Sequence, residues 1–346
     1  MSEQILKLIY GVSKKYQDPS SNNVLDEKNR DLRILYEKGT VTVTLSINPQ
    51  KHQEYNDLIN KLKKEIEQIN GVSSVNIALT SEKINPASNE DKRFKINANN
   101  IIAIASGKGG VGKSTFAVNF AIAMSLIGKS VGVLDADIYG PSIPKMMGIS
   151  KKPEINSEKK LIPIEKHGIK CMSIGFLVDV ETPTIWRGPM IMKALEQMFN
   201  GVEWGNLDYL IIDLPPGTGD TQISLAQNAK LSGSIILSTP QDIALIDAIK
   251  GINMFRRVNV PILGIVENMS YFICNECNKK HYIFSNGGAK NEADKNDIPF
   301  LGDLPIDIDL RKNSDLGNPA CISNPNGKIS ISYTNIAKNI NQKLNS

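Results

Sequence analysis

One segment constrains this chain more than any other: IIAIASGKGGVGKSTFAVNFAIAMSLIG, beginning at Ile101. An apolar run, a glycine-rich turn and a helical apolar stretch follow one another without a break, which is the strand, loop and helix context of a phosphate-binding P-loop. Gly107, Lys108, Gly109, Gly110, Val111, Gly112, Lys113 and Ser114 form the loop. Glycines let the backbone turn so that its N–H groups converge on phosphate oxygens, and the following helix adds the positive end of its dipole. Lys113 is placed to reach the β and γ phosphates, and Ser114 to offer Mg2+ a hydroxyl, with Thr115 behind it. A chance glycine-rich turn is the competing reading, and the strand and helix flanks weigh against it.

Beyond the loop, short apolar runs alternate with helical stretches: SVGVLDAD at 130, IKCMSIGF at 169, YLIIDLPP at 209, SIILSTP at 234 and ILGIVENM at 262. Runs this apolar suit strands buried on both faces of a parallel sheet. The expected fold class is α/β, a doubly wound, mostly parallel sheet forming a P-loop NTPase domain. A small N-terminal α+β unit precedes it. A helical pattern covers Glu3 to Tyr16, and Val41, Val43 and Leu45 alternate in a strand from Thr40 to Ile47. Tyr55, Leu58, Ile59, Leu62, Ile66 and Ile69 then recur at helical spacing, and Val72 to Leu79 returns as a strand. From Ser81 to Asn100 the chain turns to Ser, Asn, Lys and Pro and reads as a linker. The expected division is a small domain over 1–82, a linker over 83–98 and the P-loop domain over 99–346.

Charge excludes some partners. Forty Lys and Arg against 36 Asp and Glu leave a formal charge of +4 over 346 residues, too small and too scattered to point to nucleic acid. The first residues turn polar at once, and no apolar run approaches the roughly 18 residues of a membrane span. A cytoplasmic protein with neither nucleic acid nor membrane as partner is the expectation.

Two carboxylate clusters close apolar runs at strand ends, where open α/β sheets bind ligands. Asp135 and Asp137 lie in VLDADIYGPS, and Asp213 ends YLIID, where it reads as a Walker B acid holding Mg2+ through water. Gly217, Gly219 and Asp220 follow as a loop able to sense the γ-phosphate. Any single Asp has a plainer reading as a helix cap or turn residue.

The four cysteines are Cys171, Cys274, Cys277 and Cys321, too few for a disulfide scaffold. Cys274 and Cys277 form a C-x-x-C in a polar loop, a spacing that lets two thiolates reach one metal ion or cluster. One pair is half a tetrathiolate site, and a symmetric dimer doubles it to what a 4Fe–4S cluster or a structural zinc takes. On spacing alone a local disulfide, a zinc knuckle completed by His281 and a pair of idle thiols stay open. Cys171, in IKCMSIG, reads as core. Cys321, in NPACISNPN, reads as a loop thiol without an assignment, and His52 and His167 as surface or loop residues.

Lys108, directly after the first glycine, resembles the second lysine of the deviant Walker A signature KGGxGK(S/T) shared by MinD, ParA, the nitrogenase iron protein and the Mrp/ApbC proteins. The resemblance implies that Lys108 acts across a homodimer, bringing positive charge to phosphoryl oxygens as an arginine finger does elsewhere. It implies that Asp137 positions the attacking water with Asp135 in support. Asn268, after ILGIVE, would present its amide to the adenine edge, offering both donor and acceptor. Taken with LDADIYGPS, WRGPM from Trp186 to Met190, IIDLPPGTGD, VENMSYF, the C-x-x-C with a downstream H-x-IF, and PFLGDLPID, the chain from 100 to 340 is similar to the Mrp/ApbC family of iron–sulfur carrier ATPases.

That likeness implies a slow ATP hydrolase serving as an assembly factor. Its homodimer would carry a bridging iron–sulfur cluster, of 4Fe–4S type, on Cys274 and Cys277, working with scaffold proteins and apo iron–sulfur proteins. Lys108, Lys113 and Asp137 would be catalytic, Gly107 through Thr115 and Asn268 would bind ATP, and Ser114 and Asp213 would hold Mg2+. Trp186 and Arg187 belong to the likeness without a derived role. The N-terminal unit is similar to the small iron–sulfur assembly domain often fused ahead of Mrp ATPases. Where relatives carry Thr-x-x-Cys-Pro, however, this chain reads SINPQKHQ from 46 to 53, with no cysteine before 171. A docking or regulatory role is the reading there.

Two other functions stay in view. A positioning or partition ATPase of the MinD or ParA kind would need a basic amphipathic tail or patch. The C-terminal KISISYTNIAKNINQKLNS instead spaces Ile329, Ile331, Tyr333, Ile336 and Ile340 as a helix packed on the domain. A zinc-stabilised nucleotide switch differs only in the metal on the cysteines.

Overall fold

The computed structural model describes residues 2–345 except 20–22, 27–28, 30–31, 38, 48–51, 81–93, 95, 178–187 and 275. Trp186, Arg187 and most of the expected linker lie outside the described residues. Contacts divide the chain into two units, Met1–Lys92 and Arg93–Ser346.

In the first unit, α1 (Ser2–Ser13) and α2 (His52–Glu67) pack on a sheet of β1 (Leu32–Glu37), β2 (Thr40–Ser46) and β3 (Ser74–Thr80), in that spatial order. β1 and β2 are antiparallel; β2 and β3 are parallel, and α2 makes the crossover that a parallel pair requires. Alternation sends Leu32, Ile34, Val41, Val43, Leu45 and Val75 into one core with Ile9, Tyr55, Leu62 and Ile66. β1 is a strand the sequence pattern did not single out. Its alternation is short and lies among charged residues, and pairing with β2 is what makes it a strand.

The second unit is built on nine strands among the described residues: β4 (Ala98–Ser106), β5 (Val131–Asp135), β6 (Ile164–Lys166), β7 (Ile169–Ser173), β8 (Leu207–Asp213), β9 (Gly233–Ser238), β10 (Ile262–Ile273), β11 (Lys280–His281) and β12 (Phe300–Ile306). They run in the order β11-β10-β9-β4-β8-β5-β7-β6, with β12 also paired to β10. Only the end hairpins β6–β7 and β10–β11 are antiparallel among these pairings. The helices between and after the strands are α3 (Lys113–Leu126), α4 (Ile143–Met146), α5 (Gly188–Asn200), α6 (Asp220–Asn228), α7 (Asp242–Arg257), α8 (Gly288–Lys295), α9 (Ile308–Asp315), α10 (Ala320–Ser323) and α11 (Lys328–Asn345). None is long and apolar enough to cross a membrane.

β5 and β9 are buried throughout, β4 from Ile101 onward and β8 at all but Asp208, which is why each reads as an apolar run rather than an alternation. α3 is apolar all round because α11 covers the side that the sheet leaves open. Phe116 stacks on Phe120 and meets the Tyr333 ring of α11 at centroid separations of 5.5 and 5.6 Å. Each such pair contributes about 0.5–1.5 kcal/mol beyond its buried area. Phe94, in the stretch read as linker, stacks on Phe199 and joins this core. Cys171 is core as expected. Cys321 is no loop thiol: it is buried in α10, where its N–H donates to Asn119 Oδ1 at 3.1 Å and burial pushes its thiol up to about 12.

β4 marks the point where the sheet order reverses, with β8 and β5 on one side and β9 and β10 on the other. The crevice beyond the strand ends at such a point is where open α/β sheets take their ligands. β4 runs directly into the glycine-rich loop.

Candidate nucleotide site and cysteine hairpin

Between Ser106 and α3 the loop needs its glycines for two reasons. Gly110 and Gly112 are left-handed, with φ of 81° and 83°, a conformation most side chains avoid. Gly107 is needed for room, since a Cβ there would overlap the Asp247 backbone of α7. Gly112 caps α3 without any side-chain hydrogen bond, which leaves the first N–H groups of the helix for phosphate oxygens. Asn268 is buried, and its Nδ2 donates to the Val111 carbonyl at 2.8 Å. It holds the loop in shape, a job the expected contact with adenine did not include.

β5 and β8 are parallel and in register, so Asp135 lies opposite Asp213 at their C-terminal ends. Lys113 Nζ donates to Asp213 Oδ1 at 2.6 Å and lies 3.8 Å from Asp137 Oδ2. Burial pushes the Asp213 carboxyl up, opposed by Lys113 and then by the Ser114 hydroxyl. Asp213 Oδ2 is buried without a hydrogen-bond partner among the described residues. Asp135, fully buried, accepts from the N–H groups of Asp137 and Ile143, both at 3.2 Å, and from the Ser173 hydroxyl at 3.0 Å. Burial, then the nearby Asp213 charge, pushes its carboxyl up to about 7. Asp135 therefore shapes the turn that presents Asp137. Three acids against one ammonium, an unpartnered carboxylate oxygen and the Ser114 hydroxyl together suit a hard divalent cation such as Mg2+.

Lys108 is half-buried and has no ion-pair partner among the described residues; its carbonyl accepts from the Ser106 hydroxyl at 2.9 Å. Thr115 turns toward α4, its hydroxyl 3.9 Å from Met146 Sδ. After Asp213, Gly217 donates its N–H to the Ser106 carbonyl at 3.0 Å. Gln222, buried at the start of α6, donates to the carbonyls of Pro215 and Pro216 at 3.2 and 2.8 Å. Asp220 is exposed in the first turn of that helix.

β10 leads from the P-loop to the cysteines. Glu267, next to Asn268, is buried and accepts from the Ser270 hydroxyl at 2.6 Å and from the N–H groups of Gly287 and Ala289 at 3.0 and 2.8 Å. The stretch between Ile273 and Gly287 thus leaves and rejoins the body under the control of one strand. Its turn is tight. Cys274 donates its N–H to Lys279 O at 3.0 Å, Asn278 donates back to Cys274 O at 2.8 Å, and Asn278 is left-handed at φ 57°. β11 then returns with His281 opposite Phe272. The sulfurs of Cys274 and Cys277 and a ring nitrogen of His281 all lie within 4.8 Å of one another. Both thiols are free, and Cys277 and His281 are exposed. The N–H groups of Cys277 and Glu276 point at the Cys274 sulfur and hold its thiol below the usual value.

His52 opens α2, and His167 turns between β6 and β7 with Nε2 3.3 Å from the Gly317 carbonyl, a partner that nothing local in the sequence announces. Glu267 and Gln222 also escape a reading by motif. The one signal for Glu267 is an acid closing an otherwise apolar strand.

A family model described as ParA, NUBPL iron-transfer P-loop NTPase, matches residues 97–341. A mitochondrial iron-sulfur protein required for NADH dehydrogenase, from Arabidopsis thaliana, is 53% identical over 241 residues, which are 69% of this chain and 77% of that protein. The iron-sulfur cluster carrier protein of Escherichia coli K12 is 41% identical over 344 residues, 99% of this chain and 93% of its own, so that likeness runs through the N-terminal unit too. Among solved structures, a nucleotide-binding protein from Archaeoglobus fulgidus, in complex with ADP and with cobalt found in it, is 42% identical, covers 67% of this chain and 92% of its own, and superposes with a TM-score of 0.59.

Proposed function

We propose, from the premise that this chain belongs to the NUBPL iron-transfer P-loop NTPases of the ParA class, that it carries iron–sulfur clusters, taking one on Cys274 and Cys277 and passing it to apo-proteins. The observation that carries the reading is that a nucleotide loop and an exposed cysteine hairpin are tied to the same strand, β10. Nucleotide hydrolysis goes with the family; its use in assembly, at a slow rate, is our reading.

The β and γ phosphates of ATP would draw Lys113 away from Asp213, leaving Asp213 to the water shell of Mg2+ and Ser114 to ligate the ion. Bound there, Mg2+ supplies charge neutralisation to the phosphoryl oxygens. Asp137, released from Lys113, positions the attacking water, and Lys108 brings its unpaired charge to the phosphates of a second copy. The loop of Gly217, Gly219 and Asp220 senses the γ-phosphate. Asn268 offers the route by which a shift of the loop reaches the hairpin, and its remaining amide capacity faces the base. Two copies supply the four thiolates of a bridging 4Fe–4S cluster. Cluster cargo on reduced thiols suits a reducing compartment, and our reading is the cytoplasm, between scaffold proteins and apo-acceptors.

A zinc-stabilised switch fits less well, because structural zinc sites are closed by four ligands and this hairpin leaves Cys277 and His281 to solvent. A positioning ATPase fits less well because α11 spends its apolar face on α3. The test is anaerobic iron–sulfide reconstitution of wild type beside Cys274→Ala/Cys277→Ala, followed by transfer to an apo-ferredoxin. Iron and sulfide held by wild type alone, and transferred in a way that responds to nucleotide and to Lys113→Ala, support the reading. Equal loading of the double variant overturns it.

A further inference from the structure

We infer that a single copy of this chain holds one borderline divalent transition ion on Cys274, Cys277 and His281, with the fourth coordination position open. The three donors are set by two backbone features of one hairpin. The turn with the Cys274–Lys279 and Asn278–Cys274 hydrogen bonds sets the two sulfurs, and the Phe272–His281 pairing of β10 with β11 sets the imidazole. All three ligand atoms lie within 4.8 Å of one another. A tetrahedral ion with bonds of about 2.3 Å to sulfur and about 2.0–2.1 Å to nitrogen places its ligand atoms about 3.5–3.8 Å apart. The difference from the observed spacing is about 1 Å, and Cys277 and His281 are exposed side chains with room to turn.

The chemistry of the donors selects the ion. Two thiolates and an imidazole suit Zn2+, Fe2+ or Co2+ and reject Mg2+ and Ca2+. Of the two lysines between Cys277 and His281, Lys280 is turned aside, its Nζ 3.9 Å over the Tyr271 ring. Solvent exposure leaves the fourth position to water or to a ligand from an acceptor, as in open rather than structural sites. A bridging cluster would take two thiolates from each of two copies and has no use for His281. The mononuclear site uses His281 and needs no second copy. It holds whether or not a cluster is the cargo.

The experiment is an anaerobic Co2+ titration of the reduced, metal-free full chain, read by thiolate-to-cobalt charge transfer and by the intense d–d bands of a tetrahedral ion. Cobalt at the P-loop acids gives only weak octahedral bands without charge transfer. We expect one thiolate-bound Co2+ per chain with no change in mass by light scattering. His281→Ala should weaken that binding at least about 100-fold, since outer-shell changes alone cost 10–100-fold. His281→Cys should restore it, with charge-transfer intensity raised by a third thiolate. Half an ion per chain with a doubling of mass, or unchanged cobalt affinity and spectrum in His281→Ala, would overturn the proposal. Iron–sulfide loading of His281→Ala bears on the carrier reading alone, so the two can fail separately.

Discussion

Lys113→Met probes the charge balance of the nucleotide-free site. The ammonium lies 2.6 Å from Asp213 Oδ1, with the two side chains 6% and 0% exposed, so the substitution keeps most of the volume and leaves a buried carboxylate alone. Removing one partner of a buried pair costs about 3–5 kcal/mol. Asp135 lies across the register from Asp213 and adds a second acid to the same spot, which places the expected loss toward the upper end. Urea unfolding in EDTA, followed by tryptophan fluorescence, measures it. Trp186 and Trp204 both belong to the second unit, so the signal reports that unit alone. Without Lys113 the folded Asp213 carboxyl rises further and binds a proton that the unfolded chain releases. Stability then falls as pH climbs through that window, and the deficit is smaller at about pH 5 than at about pH 8. Lys113→Met/Asp213→Asn should recover most of the loss. A deficit under about 1 kcal/mol at pH 8, the range of a solvated pair, or a double variant no more stable than the single one, would refute the reasoning.

Asn268→Ala leaves the Val111 carbonyl without its donor in a buried position, so a loss of about 1–3 kcal/mol is expected, together with weaker binding of a fluorescent ADP analogue. Lys108→Ala removes a side chain with no ion-pair partner among the described residues; stability should stay within about 0.5 kcal/mol while phosphate release falls about a thousandfold. Asp135, held up to about 7 by burial and Asp213, binds a proton in the folded state that the unfolded state gives up near the usual carboxylate value. Its contribution to apo stability therefore falls as pH rises from about 4 to about 7. Asp135→Asn should flatten that slope in urea midpoints taken across the range, even though its amide cannot accept from both the Asp137 and Ile143 N–H groups.

The phosphate loop is legible in sequence because all its parts are contiguous: strand, glycines, lysine, serine and helix occupy one run from Ile101. The central strands are legible because burial on both faces leaves each a run of apolar residues, with polar ones mostly at its ends. β12 is not, since Gly302, Asp303 and Pro305 interrupt FLGDLPI and only pairing with β10 makes it a strand. The same division runs through the site. Asp135, Asp137 and Asp213 announce themselves at strand ends. The bond from Asn268 to Val111 spans 157 residues, and the hold of Glu267 on Gly287 and Ala289 appears only once the chain has returned to β10. His281 is a matter of strand register, four residues past the C-x-x-C, and its distance from the sulfurs cannot be read until β11 is paired.

The Glu267 contacts to Gly287 and Ala289 have a consequence for how this kind of protein can change. A loop whose two ends are pinned at one place adds little chain entropy when its length is altered. The tip that bears the cysteines can therefore be lengthened, given other ligands or cut back while the sheet beneath it keeps its register. Cargo chemistry and nucleotide chemistry become separately adjustable, and exchanging this one short hairpin is a direct means of redirecting which ions or clusters the chain takes up.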